Sequence, residues 1–233
     1  MNIVSINQPA YLAWLGYYQR IGASNTHIVL DHVQFEKNSF TNRNKIRASN
    51  GSCWLTIPLK TKGRFGDLQI RSLEAANDLW QKKHWTTICL NYSKAPFFKK
   101  YAPLFEEVYL EKNIGFFDFV DRINKIFIEQ FDLNANILYS SSMSPEKNKS
   151  ELVLELCLKA KADVYLSGAM GKDYLETERF DAKGIKVIFQ DYVHPVYKQS
   201  YPGFEPYMAS IDLLFNHGSQ SREILLQNQR DLI

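Results

Sequence analysis

Cysteine is scarce in this sequence: among 233 residues only Cys53, Cys89 and Cys157 occur, and they stand far apart. No CxxC pair and no Cys/His cluster is present, which excludes a zinc knuckle and a disulfide framework and favours reduced thiols. The first residues lack the basic segment and long apolar run of a signal peptide. No stretch approaches the roughly 18 apolar residues of a membrane helix. We therefore expect a cytoplasmic protein with no membrane span.

Several motifs of nucleotide and acyl chemistry are missing as well. Residues 8–16, which follow the first apolar run, contain neither GxGxxG nor GxxxxGK[ST], so neither a dinucleotide fingerprint nor a P-loop is present. Ser167, His194 and Asp31 can be written as a Ser–His–Asp triad, but no GxSxG elbow supports that assignment. The sequence also gives no set of metal ligands to name.

Aromatic residues, in contrast, are abundant, with 15 Phe, 13 Tyr and 4 Trp. They suit binding surfaces as well as cores, because Tyr and Trp combine an apolar body with a polar group. The formal net charge is only +3, but residues 37–71 hold eight Lys or Arg and a single acid, Asp67. Such a local positive field attracts anionic ligands. A solvated basic face without a ligand explains the charge equally well.

The order of the predicted elements indicates an α/β fold. Strands are predicted at residues 3–6, 27–33, 53–58, 137–140, 163–167 and 184–190. A helix begins near Trp14, where aromatic residues recur at spacings of three and four, and another covers residues 145–161. Strands that alternate with helices predict a three-layer α/β domain with a mainly parallel sheet. We expect one domain over residues 1–233, with a helical insertion at about 75–132.

Polar residues and glycines follow several of these strands, at the edge where parallel sheets bind ligands. Lys37 and Arg43 are expected to supply phosphate contacts, and Gly168 and Gly171 allow close approach of the backbone to a ligand. The predicted substrate-binding residues are Gln8, Tyr11, Trp14, Gln34, Lys37, Asn42, Arg43, Asn44, Ser167, Gly168, Gly171, Tyr174 and Tyr197. The alternatives stay open: Trp14 as a core residue, a solvated loop after the second strand, and small residues that only let a helix pack closely.

Seven segments, taken together, resemble the WbqC-like family. They are QPAYLAWLGYYQRI, HIVLDHVQFEKNSFTNRNKI, WLTIPL, HW near residue 84, ADVYLSGAMGKDYL, GIKVIFQDYVHPVYKQ and SIDLLFNHG, within residues 3–218. Ala13 stands where the family tends to have a proline before tryptophan, which removes no functional group. The resemblance implies a Rossmann-like sheet of the nucleotidyltransferase-like type. The HxGH signature of adenylyl-transferring enzymes is absent from residues 11–17, which argues against direct adenylylation by ATP.

The resemblance also implies bacterial surface-polysaccharide biosynthesis, since such proteins are encoded among O-antigen (lipopolysaccharide) genes, and a glycine-transferase role has been suggested for the family. Two functions are compatible with it. The first is a transferase that acylates the amino group of a nucleotide-linked amino sugar, with ATP or an activated donor such as aminoacyl-tRNA supplying glycine or another amino acid. The second is a non-catalytic protein of the same pathway that binds the nucleotide sugar or acts as a scaffold.

Acyl transfer to an amine requires a proton acceptor with a pKa near 7, and histidine is the side chain that ordinarily has one. His194 follows the last predicted strand and is our candidate base, and Asp31 is the second catalytic candidate. His27 and His32 flank Asp31, and His84 is expected to be structural. The alternative for His194 is that it only hydrogen-bonds a loop.

Overall fold

Five strands form one parallel sheet in the computed structural model, which describes residues 1–64, 66 and 68–227. The strands of this sheet are β1 (Ile3–Asn7), β2 (Thr26–Val29), β5 (Asn136–Tyr139), β6 (Val164–Ser167) and β7 (Lys186–Phe189). They lie in the order β5-β2-β1-β6-β7, and each neighbouring pair is parallel. The strand order therefore reverses between β1 and β6, as in a Rossmann-like sheet. Asp67 and residues 228–233 of the predicted domain lie outside the described residues.

Helices cover both faces of this sheet. The helices are α1 (Leu15–Gly22), α2 (Leu79–Tyr92), α3 (Phe98–Leu110), α4 (Phe116–Gln130), α5 (Lys149–Lys159), α6 (Thr177–Asp181), α7 (Ile211–His217) and α8 (Ser221–Leu226). On one face, Val4 of β1 packs in a cluster with Leu156 of α5 and Phe180 of α6. On the other face, Ile3 packs with Ala23, which follows α1. Strands buried on both faces are apolar almost throughout, as β1 and β6 are. The three-layer α/β prediction is confirmed.

The segment predicted as a helical insertion forms α2, α3 and α4. Their inner faces are rich in aromatic rings that are fully buried, including Phe105, Phe119 and Phe127. The ring centroids of Phe105 and Phe127 are 5.1 Å apart, a distance typical of paired aromatic side chains. The same core includes Tyr11 and Leu12 from the first loop. Much of the aromatic surplus of the sequence therefore serves packing.

A two-stranded antiparallel sheet follows β2, where the sequence predicts only one strand. It consists of β3 (Arg43–Ala48) and β4 (Gly51–Thr56). The polar residues of β3 gave no strand signal. In the structure, however, Asn44 and Ile46 are fully buried, whereas Arg43 and Lys45 are only half-buried, which is the alternation of a strand. β2 also ends at Val29 instead of continuing to residue 33, because the hydrogen bonds of Asp31 with Ser140 and Ser141 draw the chain away from the sheet.

All three cysteines are free thiols, and Cys157 is fully buried. None of the helices in the described residues combines the length and apolar character needed to cross a membrane.

Candidate functional site

An aromatic cluster surrounds His194 beyond the end of β7. We use this name for Trp14, Tyr192, His194, Tyr197, Phe204 and Tyr207. The ring centroids of Trp14 and Tyr192 are 4.8 Å apart, and those of His194 and Tyr207 are 5.0 Å apart. The ring of Tyr197 stacks on that of His194 at 6.2 Å. The structure thus brings Trp14, from the first loop, together with His194 and Tyr197, which the sequence analysis selected from a distant segment.

The imidazole of His194 has one nitrogen bonded and one free. Nδ1 lies 2.8 Å from the carbonyl oxygen of Pro195, an acceptor, so Nδ1 carries the proton in this arrangement. Nε2 is buried and has no hydrogen-bond partner in the described part of the chain. Burial lowers the pKa of His194 below its usual value of 6.5. The ring is therefore neutral at neutral pH, with a lone pair on Nε2.

Trp14 connects this cluster to the start of α1. Its indole ring occupies the space beside Gly16, where an added Cβ would collide with the ring. The side chain of Gln190, which follows β7, donates to the carbonyl oxygen of Gly16 at 3.0 Å and to Oε1 of Gln19 at 2.8 Å. These contacts hold the aromatic cluster at the carboxyl edge of the sheet, where ligands bind in this fold.

Asp31 lies at the same edge, beyond β2, and is fully buried. Its carboxylate accepts hydrogen bonds from the hydroxyl of Ser140 at 2.9 Å, from the amide and hydroxyl of Ser141 at 2.8 and 2.7 Å, and from Nη1 of Arg71 at 2.6 Å. Burial alone would raise the pKa of Asp31, but these hydrogen bonds together hold it below its usual value. Asp31 is therefore ionised at neutral pH and suited to orienting its neighbours.

His32 is a second histidine acceptor that the sequence analysis did not select. Its Nδ1 lies 2.6 Å from the hydroxyl of Ser140. Since that hydroxyl donates to Asp31, it accepts from Nδ1 of His32, and this leaves the lone pair on Nε2. Burial lowers the pKa of His32, and the charge of Asp31 offsets part of this. The sequence signal for this hydrogen-bonded arrangement was only that His32 directly follows Asp31.

The middle of the first loop, at Tyr11 and Leu12, lies in the core, whereas Gln8 and Trp14 are half-buried. Tyr11 is fully buried, and its hydroxyl lies 2.5 Å from that of Tyr109 and 2.9 Å from Nδ1 of His84. Asn44 is also fully buried and donates to the carbonyl oxygen of Leu12 at 2.7 Å. Tyr11 and Asn44 thus have packing roles and no surface open to a substrate. Burial lowers the pKa of His84 to about 4, in keeping with the structural role expected for it.

The basic residues of the second loop lie at the β3–β4 hairpin. The guanidinium of Arg43 lies over the ring of Trp54 at 4.9 Å and donates from Nη2 to the carbonyl oxygen of Asn38 at 2.7 Å. Trp54 itself is 49% exposed, so this pair forms a cationic, aromatic surface. Asn42, in contrast, is buried and donates to the carbonyl oxygen of Ile57 at 2.8 Å.

Lys37 lines an open groove of about 700 Å³ together with Lys60, Lys62 and Arg64. This basic groove is a second surface on which an anion would be attracted. Gln34 is exposed, and its amide donates to the neighbouring carbonyl oxygen of Phe35 at 3.2 Å.

The glycines after β6 make room for side chains of this protein. A Cβ on Gly171 would collide with the hydroxyl oxygen of Ser167, which is itself buried and donates to the carbonyl oxygen of Gly168 at 3.1 Å. A Cβ on Gly168 would collide with Nη1 of Arg20. Tyr174, further along, is 50% exposed. Both glycines are thus closely packed against side chains, and their predicted contact with a substrate stays a prediction.

Arg20 is a site residue that the sequence analysis missed. It lies on α1, is only 7% exposed, and makes neither an ion pair nor a guanidinium hydrogen bond within residues 1–64, 66 and 68–227. Nearby at the end of β1, the half-buried side chains of Asn7 and Gln8 also have no hydrogen-bond partner among the described residues. An arginine near the end of a short helix is typical of a solvated surface, and no sequence signal indicated its burial.

No group of three or more His, Cys, Asp or Glu side chains in the described ranges converges so that it could hold a metal ion. In the same described ranges, the rings of Trp14 and Tyr207 offer surfaces on which a ligand ring can stack. Arg20, Arg43 and the basic groove supply positive charge. These are features that suit a nucleotide or another phosphorylated ligand.

A comparison with protein-family models identifies one family. The model of the WbqC-like protein family matches residues 8–224. A protein of Mycobacterium tuberculosis (strain ATCC 25618 / H37Rv), described as uncharacterized protein Rv1507c, is 33% identical over 228 residues, which cover 97% of this chain and 98% of that protein. No solved structure matches the chain. With a family match over nearly its whole length, the chain belongs to the WbqC-like protein family.

Proposed function

We propose that this protein is a transferase that acylates the amino group of a nucleotide-linked amino sugar, with glycine or another amino acid, in surface-glycan biosynthesis. Membership of the WbqC-like family supports a role in glycan biosynthesis. The observation that carries the proposal is Nε2 of His194, a buried acceptor without a partner among the described residues, placed in an aromatic cluster beyond β7.

The chemistry needs one proton acceptor. The amine nitrogen of the sugar uses its lone pair to form an amide bond with the acyl carbon, and the carbon–oxygen bond to the donor breaks. The electron pair of that bond leaves with the donor oxygen, which belongs to a phosphate in an aminoacyl adenylate or to a ribose in aminoacyl-tRNA. Nε2 of His194 accepts the proton that the amine loses and passes it to the leaving oxygen or to water.

Aromatic and polar groups around His194 would position the sugar. Trp14 is half-buried and Tyr207 is 50% exposed, so both offer ring surface on which a base or sugar can stack. The ring of Tyr207 lies edge-on to that of His194. Because Nε2 is buried, a side chain of the cluster has to move before an amine reaches it. Asp31 takes no part in the proton transfer of this proposal, since it orients only Ser140 and, through it, His32.

The test is a mass-spectrometric screen of the purified protein against nucleotide-linked amino sugars, with either ATP and glycine or glycyl-tRNA as the donor. A mass increase of one glycyl group on one sugar is expected. With that sugar, His194→Gln should lower turnover by about 10²–10⁴-fold, the usual contribution of a general base. Because burial lowers the pKa of His194, wild-type turnover should fall only as the pH drops below 6.5.

His32→Gln is the matched control, because it removes a second neutral imidazole at the same edge of the sheet while the aromatic cluster stays intact. It should keep most of the turnover. Near-native turnover of His194→Gln across pH 6–8 would show that the base is another group. Binding of nucleotide sugars with no mass increase from either donor would instead indicate a binding or scaffold protein.

A further inference from the structure

Two arginines in the described part of the chain are buried, and they differ in the hydrogen bonds that their guanidinium groups make. Arg47 is 4% exposed, and its guanidinium donates to the carbonyl oxygens of Ala48, Gly51 and Pro202, each at 2.6 Å. Arg20 is 7% exposed, and its guanidinium has no hydrogen bond and no carboxylate partner anywhere in the described residues. A buried guanidinium is normally paired, since removing a charge from water without a partner is costly. Arg20 therefore has no anionic side chain beside it among the described residues.

The groups nearest to Arg20 do not neutralise it. Those that interact with its charge are the hydroxyls of Tyr165, Tyr17 and Tyr174 and the imidazole of His27. Burial raises the pKa of all three tyrosines, so their hydroxyls are neutral at neutral pH. Burial and the charge of Arg20 lower the pKa of His27 to about 3, so this ring is neutral too. The positive charge of Arg20 stands alone.

The guanidinium lies at the position where this fold binds ligands. Nη1 occupies the space beside Gly168, immediately after the carboxyl end of β6. The register pairs Ser5 of β1 with Leu166 of β6, so Asn7 at the end of β1 comes next to Gly168. The crevice between these two strands is where the strand order reverses, and ligands of open α/β sheets bind there. Met170, two residues beyond Gly168, is 79% exposed, so the chain reaches the protein surface directly after this crevice.

The geometry points to a phosphate-binding site formed by the guanidinium of Arg20 beside Gly168, with the unpartnered amides of Asn7 and Gln8 at its rim. A guanidinium offers parallel N–H groups that match two phosphate oxygens. A phosphate brings the negative charge that the surrounding residues do not supply. The inference does not depend on acyl transfer, since any phosphorylated ligand would complete the site.

The test uses pyrophosphate as the probe, with isothermal calorimetry and thermal unfolding of the full chain at constant ionic strength. Pyrophosphate should bind wild type and raise its unfolding temperature, whereas acetate at the same concentration should not. Arg20→Met should weaken pyrophosphate binding at least tenfold and lose most of the temperature increase. Without any anion, Arg20→Met should unfold at the same temperature as wild type or higher, because it removes an unpaired buried charge.

Arg20→Lys and Arg47→Met complete the experiment. Lysine keeps the positive charge but lacks the paired N–H groups of arginine. The pyrophosphate affinity of Arg20→Lys should therefore lie between that of wild type and that of Arg20→Met. Arg47→Met should destabilise the fold while pyrophosphate affinity stays at the wild-type value. The inference is overturned if wild type does not bind pyrophosphate, if acetate stabilises it equally, or if the Arg20 variants bind pyrophosphate as wild type does. Because binding is the readout, these results are independent of whether the screen for acyl transfer succeeds.

Discussion

Nη1 of Arg71 lies 2.6 Å from Oδ2 of Asp31, and this ion pair joins two points that are 40 residues apart in the chain. The Asp31 side chain is fully buried, whereas that of Arg71 is 51% exposed. The pair therefore contributes mainly by satisfying the buried carboxylate, which also receives the hydrogen bonds of Ser140 and Ser141. This network attaches the end of β2 to the end of β5.

Asp31→Asn should lower the free energy of unfolding by about 2–4 kcal/mol at pH 7, because the buried site loses its charge-assisted hydrogen bonds. The folded pKa of Asp31 lies below the value of about 3.9 for an unfolded aspartate. Its contribution is thus fully present above that value and is lost as the pH falls through the folded pKa. In urea unfolding, the free energies of unfolding of wild type and Asp31→Asn should approach each other as the pH is lowered from 7 to 3. Asp181→Asn, an exposed position on α6, should change little at any pH.

Tyr11→Phe should cost about 1–3 kcal/mol of stability, because it leaves buried polar groups of Tyr109 and His84 without their shared partner. Affinity for a nucleotide sugar should not change, since the ring is fully buried. Chemical unfolding and calorimetry measure the two effects. Tyr174→Phe is the control: this side chain is 50% exposed, and loss of its hydroxyl should leave stability within about 0.5 kcal/mol. A large affinity loss in Tyr11→Phe would contradict the packing role.

Asp212 on α7 should make stability fall as the pH rises. It is fully buried, and its Oδ2 accepts from the hydroxyl of Tyr197 and from Nε2 of Gln199, each at 2.9 Å. Burial raises the pKa of Asp212, and these hydrogen bonds offset only part of that. A carboxyl group with a raised folded pKa stabilises most when protonated, so its contribution declines between the unfolded pKa, about 3.9, and the folded one.

Asp212→Asn stays neutral at every pH and should lack this decline. Relative to wild type, the variant should gain stability between pH 4 and pH 7 in parallel unfolding curves. A constant difference between the two proteins across that range would mean that the pKa of Asp212 is not raised.

Arg43→Ala should weaken binding of a nucleotide sugar about ten- to a hundredfold, which corresponds to the loss of one charge-assisted contact worth about 1.5–3 kcal/mol. Lys45→Ala, on the same strand and also half-buried, is the control for a general loss of positive charge. Calorimetry at two salt concentrations distinguishes a direct contact of Arg43 from the general attraction of the positively charged surface, because salt screens the latter more strongly. Unchanged affinity in a folded Arg43→Ala protein would remove this residue from the site.

Gly168→Ala should destabilise the protein by about 0.5–1.5 kcal/mol, because the new Cβ forces Nη1 of Arg20 out of its position and its side chain out of a favoured rotamer. The backbone itself permits alanine, since φ at Gly168 is −70°. In an Arg20→Ala background the same change should cost much less, so the double-mutant cycle should show strong coupling. Additive effects would indicate that the guanidinium does not need this space.

The sequence analysis failed at residues whose local pattern gives no clue to their partners. β3 was missed because its polar residues look like a loop, although Asn44 and Ile46 point into the core. Tyr11 was expected to stack on a ligand, but an aromatic ring in a loop has the same sequence signature whether it faces solvent or the interior. Here it is buried because α2 and α3 supply His84 and Tyr109 as hydrogen-bond partners, which only the tertiary structure brings near.

The sequence by itself determined the alternation of strands and helices, the parallel sheet and the helical segment between β4 and β5, because these depend on residue spacing along a few turns or strands. It also determined the WbqC-like family, since that rests on several segments in a fixed order. Only the tertiary structure decided which candidates share a site. It placed Trp14 with His194 across the ring of Tyr192, paired Asp31 with Arg71, and buried Arg20 beside Gly168 with no carboxylate partner among the described residues. Burial and charge pairing are set by residues distant in the chain, and no local pattern records them.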